Sequence, residues 1–126
     1  MQIEPGQIAV VTGAGSGMGR ATAHLFADEG AKVAVTDVKG VEAVVEEIRA
    51  AGGQAAGWAL DVSSTADAQR VVGEIAAHFG GIDILVNNAS AISLTGTLET
   101  PMKRYDLMHQ INTRGTFLCS QACLPH

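Results

Sequence analysis

Thr12-Gly13-Ala14-Gly15-Ser16-Gly17-Met18-Gly19 is the stretch of this sequence best suited to hold a charged ligand. Four glycines fall within seven residues, after the apolar run Ile8 to Val11 and before a helical pattern. A strand that turns through glycines into a helix aims unpaired N–H groups at an anion. One glycine would turn the chain with φ above zero, one would let backbone approach a pyrophosphate, and one would let the helix pack against the sheet. Asp37 stands eighteen positions beyond Gly19, where an acid can accept hydrogen bonds from both ribose hydroxyls of an adenosine. A carboxylate there repels a 2′-phosphate, which Arg or Lys ordinarily receives. The expected cofactor is therefore NAD rather than NADP, with Lys39 as a nearby cation and Ser16 neutral within the loop.

Two further polar groups stand at comparable places. Asp61-Val62 could meet an adenine, the Asp at its amino group and the Val by apolar contact; equally, Asp61 could open an Asx turn. Asn87-Asn88-Ala89-Ser90 follows another apolar run. Buried asparagines at a strand end must place donors and acceptors alike, so they brace sheet and ligand together. Metal chemistry finds no support. The four histidines show no ligand spacing, and Cys119 and Cys123 lie four apart with no second pair, which reads as two buried free thiols.

The elements that must position these groups follow from punctuation and period. After the first strand and helix, Gly30 stops the helix, and Ala31 to Asp37 reads as a buried strand. Val41, Val44, Val45 and Ile48 share one face of a helix over Val41 to Ala50, ended by Gly52-Gly53. Gln54 to Leu60 is a third strand, and Ser63-Ser64-Thr65 supplies cap chemistry for a helix to about Phe79. Ile82 to Val86 is a fourth strand, and Thr100-Pro101 starts a long helix with Leu107, Met108, Ile111, Leu118 and Ala122 on its apolar side. Strands alternating with helices imply right-handed crossovers and a doubly wound, parallel α/β sheet of three layers. The glycine loop, Asp37, Asp61 and Asn88 then all sit at carboxyl ends of strands, around one crevice.

Composition narrows the class. A chain of 126 residues, 47% apolar and 17% charged, is enough for one globular domain. Its apolar stretches are too short for a bilayer span. Met1-Gln2-Ile3-Glu4-Pro5 has no basic leader, so the expected location is cytoplasmic. A net charge of −5 without a basic cluster argues against nucleic acid as a partner.

The spacing G-x-G-x-x-G fails, because Met18 falls at its third glycine; T-G-x-x-x-G-x-G fits, through Thr12, Gly13, Gly17 and Gly19. Together with Asp37, Asp61-Val62 and Asn87-Asn88-Ala89, in this order across the whole chain, this pattern resembles the first half of a short-chain dehydrogenase/reductase. The resemblance implies a Rossmann domain over 1–126 holding the first four strands. Gly13, Ser16, Gly17, Met18 and Gly19 would line the pyrophosphate. Asp37 would hold the adenosine ribose, Asp61 and Val62 would face the adenine, and Asn88 and Ala89 would form part of the cofactor wall. Ser90 stands where the family usually has Gly. Asn112 matches the family's helix asparagine, a catalytic residue that holds a water in a proton relay. Asn88 to Leu94 and Ile111 to Phe117 resemble the hydroxysteroid dehydrogenase-like subgroup.

The family's catalytic Ser and its Tyr-x-x-x-Lys pair are not in these residues. Tyr105, the one tyrosine, precedes Asn112 and has His109 four positions on. The expected function is that of an NAD-dependent alcohol dehydrogenase or carbonyl reductase acting on a secondary alcohol or ketone, seen as its cofactor-binding half. By resemblance it would form homo-oligomers through the helix around Asn112. The alternative is a catalytically inactive nucleotide-binding fragment or vestigial module. A methyltransferase with a similar glycine loop explains neither Thr12 nor the Asn-Asn-Ala corner.

Overall fold

In a computed structural model describing residues 2–126, strands and helices alternate: β1 (Ile8–Val11), α1 (Gly17–Asp28), β2 (Lys32–Asp37), α2 (Val41–Ala50), β3 (Gln54–Ala59), α3 (Thr65–Phe79) and β4 (Ile84–Val86). An irregular loop then leads to α4 (Met102–His109), a π-helical turn (Gln110–Gly115) and α5 (Thr116–Cys123). The four strands form one parallel sheet in the order β3-β2-β1-β4, with Val10 in register with Ala34 on one side and Leu85 on the other. The chain winds outward from β1 to β3 and then returns to the opposite side of β1. The strand order therefore reverses between β1 and β4, and a crevice opens there at the carboxyl ends.

Alternation along the strands divides the core into two layers. Val11, Val33 and Val35 pack under α1 and α2 with Ala23, Ala27, Val44 and Ile48. Val10 and Ala34 face the other way, against Val71 and Ile75 of α3 and Cys119 of α5. This is the doubly wound α/β/α arrangement that the periodicity implied. Trp58 on β3 meets His78 and Phe79 edge-on, at centroid distances of 5.6 and 6.2 Å. Arg49 Nε donates to the carbonyl of Ala55 (3.0 Å), occupying an acceptor on edge strand β3. Cys119 and Cys123 are buried free thiols, and burial pushes both up to about 11.

Local differences from the sequence reading have physical causes. Residues 82 and 83 are not part of β4; Asp83 instead uses its carboxylate to accept the N–H of Ile8 (2.8 Å). The second and third strands are each one residue shorter than expected, at Ala31 and Leu60. In α1 the buried positions are Gly19, Ala23 and Ala27, while Leu25 is 63% exposed. Close helix-to-sheet contact there selects small residues. The last helix is interrupted by the π turn, and α4 buries none of its residues.

Candidate functional site

Thr12, at the end of β1, is 2% exposed, and its hydroxyl is the joint between two strands. Thr12 Oγ1 accepts the N–H groups of Asn88 (3.1 Å) and Ala89 (3.0 Å) and lies 3.4 Å from the carbonyl of Val86. Asn88 answers in kind: its Nδ2 donates to the carbonyls of Thr12 and Gly13, both at 3.1 Å. A half-buried amide that satisfies two backbone carbonyls fixes the loop bearing them. Gly19 lies directly behind this contact, where a Cβ would run into the Gly13 carbonyl and the Asn88 amide. The glycine is thus required by close approach, as the packing role in the motif anticipated. Gly13 and Gly17 carry the positive φ values, +64° and +57°.

Asp37 ties the same loop to β2. Its Oδ2 accepts the N–H of Gly15 (2.9 Å), and its Oδ1 accepts that of Val38 (2.6 Å). Oδ1 also accepts the Lys39 N–H (3.5 Å), while Oδ2 retains a further lone pair. Behind it, Thr36 is fully buried, donating from Oγ1 to the Val11 carbonyl (2.9 Å) and accepting the Ala14 N–H at its own carbonyl (2.9 Å). Asp61 does form the Asx turn, its Oδ1 accepting from the N–H (3.0 Å) and Oγ (2.6 Å) of Ser63. The Asp61 N–H donates to Asp67 Oδ2 (2.7 Å). That bond, followed by Arg70 at 2.7 Å, holds the Asp67 carboxyl below the usual carboxylate range.

These groups enclose a cavity of about 320 Å³. Of the residues singled out from sequence, Gly13, Ser16, Met18, Asp37, Asp61, Val62, Asn88 and Ala89 line it. Thr36, Val38, Leu60, Ser90 and Ile111 complete the wall; these are the neighbours that strand ends bring along. Three residues stand off it. Gly17 opens α1 and is exposed, Gly19 is buried behind the loop, and Asn112 is turned to Ala91. There Asn112 Oδ1 accepts the Ala91 N–H (2.9 Å) and Nδ2 donates to the Ala91 carbonyl (2.8 Å). Among the described residues no three His, Cys, Asp or Glu side chains group as metal ligands, and no helix is long and apolar enough to cross a membrane.

The sequence profile of the family described as short chain dehydrogenase matches residues 7–126. The chain belongs to this family. Short-chain dehydrogenases bind a nicotinamide cofactor, NAD or NADP. Hydroxysteroid dehydrogenase-like protein 2 of Rattus norvegicus is 47% identical over 124 residues, and that of Homo sapiens 45% over 125. These matches cover 91% and 92% of this chain but only 24% and 30% of the relatives. Among solved structures, the Serratia marcescens short-chain dehydrogenase/reductase F98L/F202L mutant superposes with a TM-score of 0.93 at 36% identity. A short-chain type dehydrogenase/reductase from Mycobacterium marinum gives 0.91 at 31%. They match 99% and 97% of this chain, which spans 52% and 50% of theirs.

Proposed function

We propose that this chain is the cofactor-binding part of an NAD-dependent oxidoreductase of the alcohol dehydrogenase or carbonyl reductase type. Bound here, NAD would supply a nicotinamide C4 as hydride acceptor for a secondary alcohol, whose hydroxyl proton would leave to a base outside these residues, with the reverse for a ketone. The chain's own residues bind and orient. The N–H groups of the first turn of α1, with Gly13, Ser16, Gly17, Met18 and Gly19, receive the pyrophosphate. Asp61 and Val62 flank the adenine, Asn88 and Ala89 wall the crevice, and Asn112 fixes Ala91 behind that wall. The substrate is a small secondary alcohol or ketone, and copies of the whole protein pair through the helical segment around Asn112.

The observation that carries the reading is Asp37. Its carboxylate is fixed by the N–H groups of Gly15 and Val38 at the end of β2, on the cavity wall. A fixed anion with a lone pair free on Oδ2 suits a ribose hydroxyl and opposes a 2′-phosphate. Calorimetric titration of the protein with NAD and NADP tests this. NAD should bind at least about tenfold more tightly, and Asp37→Ala should narrow the ratio to about threefold or less. Equal or tighter NADP binding by the unaltered protein would overturn the assignment of NAD.

A further inference from the structure

The π-helical turn Gln110–Gly115 grips the crevice at two places. One is the pairing of Asn112 with Ala91. The other has no part in the function derived so far. Arg114 Nε donates to the carbonyl of Ser63 (3.0 Å), and its Nη2 donates to Thr65 Oγ1 (3.2 Å). The next residue, Gly115, is buried against the same segment, and a Cβ there would lie 2.6 Å from Val62 Cγ2. Two consecutive residues of the turn therefore close on Val62-Ser63. Residues two apart on a helix point to roughly opposite sides, so Asn112 and Arg114 reach opposite walls from one short turn.

The segment they hold is otherwise fixed from the α3 side and by its own turn. Of residues 61–65 only Val62 is buried. Asp67 holds the Asp61 N–H from the α3 side, and Asp61 folds back on Ser63. Beyond its own turn, the outer half of this loop is held by the start of α3, where Ser64 Oγ accepts the Asp67 N–H (3.2 Å), and by Arg114, which joins it to the π turn across the crevice. Yet Asp61 and Val62 line the cavity, whereas Arg114 does not.

We infer that Arg114 is a positioning residue: by bridging Ser63 and Thr65 it holds the Asp61-Val62 wall in register for an adenine ring. Affinity for adenosine-containing ligands then depends on a side chain outside the cavity wall. The forked guanidinium matters, because it reaches a carbonyl and a hydroxyl at once, while a lysine ammonium would serve mainly one of them. The inference rests on the cofactor reading above, which places adenine at Asp61-Val62.

Titration calorimetry with ADP and with NAD tests it, beside thermal unfolding of each variant. Arg114→Ala should weaken both ligands by the same factor, about tenfold, since they share the adenosine and the loss is that of a charge-assisted bridge. Arg114→Lys and Thr65→Val should each weaken them by about threefold, because one arm of the bridge survives. Arg104→Ala is the control, as Arg104 donates to the carbonyl of Ile92 (2.8 Å) in another loop; it should leave ADP affinity unchanged. An Arg114→Ala protein that folds and binds ADP like the parent overturns the inference. So does an equal loss in Arg104→Ala, which would mean general loosening. Should Arg114→Ala not fold, parental ADP affinity in both Arg114→Lys and Thr65→Val overturns it instead. If the unaltered protein binds neither ADP nor NAD, the cofactor reading itself fails.

Discussion

On one side of β1 lies β2, six residues long with its central four buried, under α1 and α2; on the other lies β4, three residues long and half-buried throughout. The loop after β4 leads to α4, which buries nothing. The two sides meet the crevice by different means. The glycine loop and Asp37 stand on a closed apolar layer, whereas Asn88 and Ala89 are hung from Thr12 by hydrogen bonds. One wall of the site is thus set by packing and the other by polar joints, and the two should fail differently.

Gly19→Val attacks the packed side and should have the largest effect. The new side chain collides with a backbone carbonyl, which cannot rotate away as a flexible side chain could. A loss of about 3 kcal/mol is expected, read from the urea midpoint. Displacing the loop should also weaken NAD by about a hundredfold or more; unchanged binding would mean that the loop tolerates movement.

Thr12→Val attacks the polar joint. The shape is kept, but the Ala89 N–H loses its acceptor and the Asn88 N–H keeps only the Val86 carbonyl (3.1 Å), at about 1–2 kcal/mol in total. Amide exchange should speed up at Asn88 and Ala89 while Val33 and Val35 stay protected. Uniform acceleration across the sheet would erase the distinction between the two walls. Met102→Ala sharpens it from the other end. That side chain is 63% exposed, so the urea midpoint should move by no more than about 0.5 kcal/mol in equivalent stability.

The packed side was the more legible in sequence. Val41, Val44, Val45 and Ile48 mark α2 to its observed bounds, because a stripe at helical spacing followed by Gly52-Gly53 leaves few alternatives. Eight of the residues chosen for the crevice line it, since strand ends are readable wherever an apolar run meets Gly, Asp or Asn. The polar side was less so. Thr12 was visible as a motif residue, but its partners lie 76 and 77 positions away, beyond any local pattern. The π turn carries no period of its own. It is recognised by what Asn112, Arg114 and Gly115 touch, and Arg114 drew notice only within a resemblance. In α1 the buried face is small rather than large: the helix packs through Gly19, Ala23 and Ala27, so its largest aliphatic side chain, Leu25, is left outside.

The joint between Thr12 and Asn88 also sets an order in time. Local turns of α1 can form as soon as the chain supplies them, but this joint closes a loop of 76 residues, and such distant pairings come late in folding. During synthesis at about 5–20 residues per second, roughly 4–15 s separate the emergence of the two partners. For that interval the glycine loop exists without the strand that braces it, so a nascent chain can present the motif before it can present the site.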